Sequence, residues 1–311
     1  MKNILITTSS FDYLNDNLIA PVSSKGYQIQ FNPFKRKLTV DEVSEMIDRY
    51  DPVGIIAGLE PLTQSVMQKA KKLKVISRCG IGLDSVDLEA ARDRNITVTN
   101  TPDGPTRSVA ELCIGLMISL LRRIHSSNEA IRRGQWDRPI GSLLYQKTIG
   151  ILGCGRIGTC VAGILSGFEC RVIGYDIQHR DNHASYARVS MEDLLNQSDI
   201  LTLHLSYSPA THHIIDRGKI RLMKNGSFLI NTARGALVDE TALYEALESG
   251  YLGGAALDTF EEEPYQGPMR DLDNVLLTAH IGSYAKEARM MMEKQAWDNL
   301  FNELRKKEAG Y

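Results

Sequence analysis

The stretch that decides the fold is TIGILGCGRIG, residues 148–158, in which an apolar run leads into three glycines. Gly153 allows a tight turn at the end of a strand, Gly155 lets the main chain approach a pyrophosphate, and Gly158 lets the following helix pack near the strand. The amide groups at that helix N-terminus favour an anion. Such a glycine pattern alone is weak evidence, since glycines also serve ordinary strand–helix turns.

The residues after the glycines strengthen the prediction. A helical segment leads to a second strand-like run, CRVIGYD, that ends in Asp176, where a carboxylate would accept a hydrogen bond from a ribose 2′-hydroxyl. Together they predict a dinucleotide site. Asp176 would repel a 2′-phosphate, so NAD is favoured over NADP, although an arginine such as Arg180 can accommodate that phosphate.

Short β-branched runs alternate with helical segments along the whole chain. This alternation is typical of parallel sheets covered by helices on both faces, and it predicts an α/β protein with two doubly wound domains. The first set of runs is 3–8, 27–31, 53–58, 74–78 and 96–100, and the second is 148–153, 170–176, 199–205, 227–233, 253–260 and 274–280.

Two longer helices are predicted from their patterns. Apolar residues from Val109 to Ile124 recur at spacings of three and four, which predicts one long helix between the two sets of strands. A second helix is expected from about Tyr284 to Lys307, after the last strand.

Composition limits the class of protein. The 311 residues carry a net charge of −2, so no general basic field attracts nucleic acid or an anionic membrane. The five cysteines are odd in number and show no CxxC pairing, which predicts a reducing compartment and no metal site. The sequence shows no leader or membrane-spanning run. We therefore expect a cytoplasmic protein with neither nucleic-acid nor membrane partners.

Three polar residues follow apolar strands in the second half. Arg234 lies in NTARGALVDE, Glu263 in ALDTFEEEP and His280 in LLTAHIGS. Arginine matches a carboxylate and a keto oxygen, histidine can donate a proton near neutrality, and a carboxylate can orient the ring. Each residue alone is more often structural, but their joint occurrence after a dinucleotide motif predicts hydride transfer to a small anionic 2-oxo acid.

The ordered motifs resemble the D-isomer specific 2-hydroxyacid dehydrogenase family, most of all its phosphoglycerate dehydrogenase branch. The resemblance covers about residues 74–287 and is carried by SRCGIGLDSVDLEAA, NTPDGPTRSVAEL, KTIGILGCGRIG, NTARGALVDE, GAALDTFEEEP and HIGS. It implies a substrate domain of flavodoxin-like fold, residues 1–99 and 285–311, around a Rossmann NAD-binding domain, residues 100–284. It also implies a homodimer, and a short form without a C-terminal regulatory domain.

The resemblance also assigns the site residues. His280 is implied as the general acid/base, Glu263 as its partner and Arg234 as a substrate-binding catalytic residue, while Asp258 matches a position near the nicotinamide carboxamide. The backbone amides of the Cys79-Gly80-Ile81 turn are implied to hold the substrate carboxylate, with Arg78 and Arg138 as candidates for a phosphate. The residues expected to contact NAD are Thr106, Gly153, Gly155, Arg156, Ile157, Gly158, Asp176, Thr232, Ala233, Asp258, His280 and Gly282.

Several functions share this scaffold. The expected reaction is hydride transfer between NAD and a D-2-hydroxy acid or its 2-oxo acid, with 3-phosphoglycerate-like substrates among the candidates. Hydroxypyruvate or glyoxylate reduction, or oxidation of a phosphonate hydroxy acid, are the enzymatic alternatives. An NAD-sensing corepressor-like binding protein is the alternative from another class, because fold alone does not fix function. His204, His212 and His213 are expected to be structural or to lie on the cofactor side, without a metal.

Overall fold

The computed structural model describes residues 1–12, 22–178 and 186–309, which form two compact units. One unit contains residues 1–105 and 285–311 and the other residues 106–284. The first boundary therefore follows Pro105 rather than residue 99, because helix α4 (Asp103–Leu121) has already begun there and its first turn packs on the C-terminal helix. We call the two units the first and the second domain.

The first domain contains a parallel five-stranded sheet in the order β2-β1-β3-β4-β5. The order reverses direction between β1 and β3, so the switch point of the sheet lies there. Its strands are β1 (Lys2–Ile6), β2 (Tyr27–Phe31), β3 (Gly54–Ala57), β4 (Val75–Arg78) and β5 (Thr97–Thr99). Its helices are α1 (Val40–Tyr50), α2 (Gln64–Lys69), α3 (Leu88–Asp93) and the C-terminal helix α10 (Lys286–Glu308).

Helices cover both faces of this sheet, and its central strands are buried throughout. All four residues of β3 and of β4 are buried. On one face Leu5, Ile55 and Ile76 form a core with residues of α1, α2 and α3. On the other face Trp297 and Leu300 of α10 belong to the core of Ile4 and Ile56, so the last helix of the chain completes the first domain.

The second domain contains a parallel seven-stranded sheet in the order β12-β11-β10-β9-β6-β7-β8. Its strands are β6 (Thr148–Leu152), β7 (Arg171–Tyr175), β8 (Ala187–Arg188), β9 (Ile200–Leu203), β10 (Phe228–Asn231), β11 (Gly254–Leu257) and β12 (Val275–Leu277). Besides most of α4, its helices are α5 (Ile124–Arg132), α6 (Arg156–Leu165), α7 (Met191–Gln197), α8 (Arg217–Leu222) and α9 (Glu240–Glu248). The sequence-based prediction of two doubly wound parallel-sheet domains is confirmed.

The long helix differs from its prediction. The apolar stripe suggested one helix through Ile124, but α4 ends at Leu121 and a new helix begins at Ile124. Arg123 between them adopts a left-handed conformation with φ 51°, which ends the first helix, and Ile124 is exposed. By length and composition alone, α4 is long and apolar enough to cross a membrane. However, 56% of the apolar 18-residue stretch of α4 is buried, as in the core helix of a soluble protein. The absence of a membrane partner stays a prediction.

Candidate active site

The three glycines after β6 differ in their surroundings. Gly153 has φ +96°, and an added Cβ would lie 2.8 Å from the main chain of His204, so the turn and its packing both require glycine. At Gly158 a Cβ would collide with the carbonyl oxygen of Gly153, because helix and turn are in direct contact. At Gly155, which caps α6, no heavy atom lies within 4 Å of a Cβ. The loop is therefore tightly packed beneath and open at Gly155.

Asp176 follows β7 and supports the same loop. Its Oδ2 accepts a hydrogen bond of 2.9 Å from the Cys154 amide, and its Oδ1 accepts one of 2.8 Å from the Gln178 amide. A carboxylate oxygen can accept more than one hydrogen bond, so these contacts leave acceptor capacity for a ribose hydroxyl. Arg180, the residue that could favour NADP, lies outside the described residues.

The second domain also has buried hydroxyls without protein partners. The Oγ1 atoms of Thr232 and Thr259 are buried and have no hydrogen-bond partner, which is rare for polar atoms. Thr232 follows β10 and Thr259 follows β11, and ligands of open α/β sheets bind at such carboxyl ends. These orphaned hydroxyls, the open Gly155 and the N-terminus of α6 fit a dinucleotide.

His280 and Glu263 form the central pair of the site. Nδ1 of His280 lies 3.0 Å from both carboxylate oxygens of Glu263, and each side chain is about one quarter exposed. Glu263 Oε1 also accepts a hydrogen bond of 3.2 Å from the Phe260 amide, which fixes the carboxylate. Because Nδ1 faces the carboxylate, Nε2 is the ring nitrogen left for proton exchange.

The loop that carries His280 is held by Asp258. His280 has φ +53°, a conformation that few non-glycine residues adopt. Asp258 is fully buried; its Oδ1 accepts hydrogen bonds from Thr278 Oγ1 and the Ile281 amide, and its Oδ2 accepts one from the Gly282 amide. Its observed contacts thus shape the His280 loop. The expected contact of Asp258 with the nicotinamide carboxamide stays a prediction.

Arg234 lies in a turn shaped by a residue that the sequence analysis missed. Buried Asn231 accepts a hydrogen bond from the Ala233 amide and donates one of 2.8 Å to the Arg234 carbonyl. At the next residue, Gly235, a Cβ would collide with the main chain of Phe260. The Arg234 turn therefore packs directly on the segment that leads to Glu263. In the sequence, Asn231 at the start of NTARG was the signal from which this turn could have been predicted.

A second missed residue is Glu240, at the start of α9. Its Oε1 accepts a hydrogen bond of 2.8 Å from the Glu261 amide, and it lies near the acidic run that ends in Glu263. Burial and the negative charges of Glu261, Glu262 and Glu263 raise the pKa of Glu240. Glu240 therefore anchors the acidic run at its first residue.

The three histidines without an assigned role lie in the second domain. Burial lowers the pKa of His204 to about 3, and its Nε2 lies 3.0 Å from Thr202 Oγ1. His212 and His213 are stacked, and Nε2 of His213 lies 2.7 Å from Glu261. Within the described ranges no three His, Cys, Asp or Glu side chains are grouped as metal ligands. The absence of a metal stays a prediction.

The remaining predicted cofactor residues also lie in the second domain. Arg156 and Ile157 form the first turn of α6, and Ala233 lies in the Arg234 turn. Thr106 is half-buried in the first turns of α4. Nearby Ser108, a residue the sequence analysis did not single out, donates a hydrogen bond of 2.6 Å to the Gly282 carbonyl and ties α4 to the His280 loop.

The substrate-binding residues predicted in the first domain follow β4. The Cys79 amide donates to the Ala57 carbonyl, and the Gly80 amide, at φ +144°, donates 2.7 Å to Thr101 Oγ1. These two amides are thus engaged within the domain, and the binding of a substrate carboxylate by the amides of the Cys79-Gly80-Ile81 turn stays a prediction.

The two arginines considered for a phosphate differ in exposure. Arg78 is only 6% exposed. Arg138 lines a cavity of about 320 Å³ in the second domain. That cavity is bounded by Ser126, Ser127, Ala130, Asp137, Arg138 and Pro139.

Comparison with known proteins gives a consistent result. Residues 114–282 match the model of the family described as D-isomer specific 2-hydroxyacid dehydrogenase, NAD binding domain. The chain is 43% identical over 259 residues to D-3-phosphoglycerate dehydrogenase of Methanocaldococcus jannaschii, covering 81% of this chain and 49% of that enzyme. It thus spans about half the length of that relative.

A second relative and a solved structure cover nearly the whole chain. Hydroxypyruvate reductase of Thermotoga maritima is 35% identical over 295 residues, covering 91% of this chain and 96% of that one. The crystal structure of D-lactate dehydrogenase from Aquifex aeolicus, complexed with NAD and lactic acid, is 25% identical with a TM-score of 0.83. That comparison covers 98% of this chain and 96% of the solved one.

Proposed function

Because this chain belongs to the D-isomer specific 2-hydroxyacid dehydrogenase family and carries its NAD-binding domain, we propose that it is an NAD-dependent oxidoreductase of D-2-hydroxy acids with His280 as general acid/base. The observation that carries the proposal is the His280–Glu263 pair, on a loop that a buried aspartate fixes in a left-handed conformation. Strained backbone held by surrounding contacts is typical of functional sites.

Each of the three catalytic residues has a separate role in the reaction. NAD, when bound, supplies or accepts the hydride. His280 donates a proton from Nε2 to the carbonyl oxygen of the 2-oxo acid during reduction, and removes it from the hydroxyl during oxidation. Glu263 keeps Nδ1 engaged and stabilises the positive ring. The guanidinium of Arg234 binds the substrate carboxylate and polarises the keto oxygen.

Residues of the second domain would hold the cofactor. The α6 N-terminus and the Gly155 amide would bind the pyrophosphate, Asp176 would accept a hydrogen bond from the ribose hydroxyl, and the buried hydroxyl of Thr232 would gain a partner. The remaining contacts are those assigned by the family resemblance.

The experiment that tests the function is NADH oxidation against a panel of 2-oxo acids, with NADPH in parallel. Glyoxylate, hydroxypyruvate and phosphohydroxypyruvate lead the panel, together with a phosphonate analogue. Turnover of at least one acid with NADH, lost in His280→Ala, supports the proposal. Tight NADH binding without turnover of any acid contradicts it and favours an NAD-sensing protein.

We also propose a homodimer that forms through the segment 133–147, which joins α5 to β6. Large apolar side chains are exposed there, with Trp136 82%, Ile140 95% and Leu143 62% exposed. Three large apolar side chains exposed within one short segment support an interaction surface there. Light scattering of the purified protein should give twice the chain mass, and Trp136→Ser should shift it toward the monomer. A monomeric wild type would overturn this proposal.

A cytoplasmic location completes the proposal. All five cysteines are free thiols in the structure, as is typical of proteins from reducing compartments. The net charge of −2 supports a protein that binds a small anion rather than nucleic acid.

A further inference from the structure

An arginine of strand β8 lies beside the turn that follows β7, and no role has been assigned to it. Arg188 on β8 pairs with Gly174 on β7, shortly before Asp176. Its Nη2 donates a hydrogen bond of 3.1 Å to the Asp176 carbonyl and lies 3.5 Å from the Gln178 carbonyl. The guanidinium therefore lies against the turn at residues 176–178, at the carboxyl edge of the second sheet, where ligands of open α/β sheets bind.

The pairing of β7 with β8 places Arg188 on the same face of the sheet as the glycine loop. Side chains of paired residues on neighbouring strands point to one face, so Arg188 shares the face of its partner Gly174. On that face a Cβ at Gly174 would lie 2.7 Å from Cys154 Sγ, in the middle of the glycine loop. Burial raises the pKa of the Cys154 thiol, and the charges of Asp176 and Arg188 act on it in opposite directions. Both charged groups thus lie close to the loop.

The charge of Arg188 is accessible to a ligand. Its contacts with the 176–178 turn are made by Nη2 and go to uncharged carbonyl oxygens, whereas Nε and Nη1 form no hydrogen bond with any residue that the structure describes. Arg188 is exposed, and Ile177 in the middle of the turn is 85% exposed. A guanidinium has five N–H donors, so one that is oriented by carbonyl oxygens can still form a fork with a phosphate.

Asp176 and Arg188 have opposite effects on a phosphorylated ribose at this turn. The Asp176 carboxylate is fixed by the Cys154 and Gln178 amides, and it would accept a hydrogen bond from the ribose 2′-hydroxyl of NADH. A 2′-phosphate at the same place would be repelled by this carboxylate and attracted by a neighbouring guanidinium. Because Arg188 contacts the main chain of Asp176 itself, the two opposing charges act at the same position.

We propose that Arg188 is a cofactor-specificity residue, which binds the 2′-phosphate of NADPH and thereby limits the preference for NADH that Asp176 creates. The inference rests on the proposed function and deepens it, because it requires the adenosine ribose to lie beside Asp176. The enzyme accordingly binds both nucleotides, NADH more tightly and NADPH with the help of Arg188. The side chain contributes little to NADH binding, since NADH has no phosphate at this position.

The test compares the dissociation constants of NADPH and NADH, which differ only in the 2′-phosphate, by fluorescence titration of the purified protein. Wild type should bind NADPH measurably but more weakly than NADH. Arg188→Met should lower NADPH affinity roughly tenfold or more, the scale of one charge-assisted hydrogen bond, and NADH affinity far less. Arg188→Lys should give an intermediate NADPH affinity, because lysine keeps the charge without the planar fork. Adding Arg188→Met to Asp176→Ser should abolish the gain in NADPH affinity expected from Asp176→Ser alone.

Arg171→Met is the matched control. Arg171 is also exposed, and its Nη2 donates a hydrogen bond of 3.0 Å to the uncharged side-chain oxygen of Gln197, but it lies at the opposite, amino end of β7. This variant should leave both affinities unchanged.

Three results would overturn the inference and leave the proposed function intact. They are a wild type that binds NADH but no NADPH, an Arg188→Met variant with an unchanged ratio of the two affinities, and one that loses both affinities equally, as a purely structural arginine would. Should Arg188→Met not fold, Arg188→Lys decides, and a ratio equal to that of the wild type overturns the inference. A wild type that binds neither nucleotide would overturn the proposed function itself, and this inference with it.

Discussion

His280 presents Nδ1 to both carboxylate oxygens of Glu263 at the same distance, 3.0 Å. The symmetric contact fixes the plane of the ring, and the Asp258 hydrogen bonds fix the main chain beneath it. The ring is thus oriented by contacts from two directions before a substrate arrives, which is the arrangement that a proton-transfer group requires.

Replacing His280 with Ala should lower kcat roughly 10²–10⁴-fold, the usual contribution of a general acid/base. NADH affinity, measured by fluorescence titration, should fall far less than kcat, because the residues expected to bind the pyrophosphate and the ribose are unchanged. His213→Ala is the control, as it removes another half-buried histidine of the same domain that also faces a glutamate. Full activity of the His280 variant would refute the assignment.

Glu263→Gln should reduce kcat by roughly 10–100-fold, which lies below the usual full contribution of a general acid/base, with a smaller change in KM. The amide keeps the shape of the side chain but removes the charge that stabilises the protonated ring. Steady-state kinetics should be compared with Glu262→Gln, in the same acidic run but exposed. Equal effects of both variants would indicate a general charge effect instead.

Gly155 and Gly158 should respond differently to alanine. At Gly158 the added methyl group meets the Gly153 carbonyl, so we expect a loss of about 1–3 kcal/mol in unfolding free energy. At Gly155 the methyl group meets no protein atom, so stability should change by less than about 1 kcal/mol while NADH affinity falls roughly tenfold or more. Urea unfolding and NADH titration separate the two effects.

Gly163→Ala provides the matched control for these variants. It lies in the same helix, α6, with open space around its Cβ, and should stabilise the protein by about 0.5–1 kcal/mol. Unchanged NADH affinity in Gly155→Ala would argue against a pyrophosphate at this loop.

Asp176→Ser should weaken NADH binding and raise the ratio of NADPH to NADH affinity by roughly tenfold or more, because the repulsion of a 2′-phosphate is removed. Titrations with both nucleotides measure this ratio. Asp193→Ser, at an exposed helix start in the same domain, should leave it unchanged. A ratio that does not move would place the ribose away from Asp176.

His204 predicts a pH dependence of stability. Its pKa falls from 6.5 to about 3 in the folded protein because of burial, so the folded state binds fewer protons than the unfolded chain between these values. The contribution of the neutral His204 ring to the free energy of unfolding is complete above pH 6.5 and is lost as the pH falls toward 3. The midpoint of thermal unfolding should therefore decline less steeply with acid in His204→Asn than in the wild type, and equal slopes would contradict this.

The sequence by itself determined the periodicities and the turns. Apolar runs separated by helical segments required parallel sheets, and the glycines at 153 and 158 correspond to a positive φ and to a direct contact between helix and turn, both of which are local properties. The order of polar residues after successive strands then indicated the chemistry, because carboxyl ends of parallel strands share one edge.

Only the tertiary structure decided which polar atoms meet. Only the structure shows that the oxygens of Asp258 accept hydrogen bonds from the His280 loop, in addition to the predicted place of Asp258 near the nicotinamide. Glu60 received no role from the sequence, although burial leaves one of its oxygens without a partner. These contacts join residues far apart in the chain, through distances and burial that no periodicity records. Local propensity fixes elements, whereas the pairing of buried charges depends on how the elements pack.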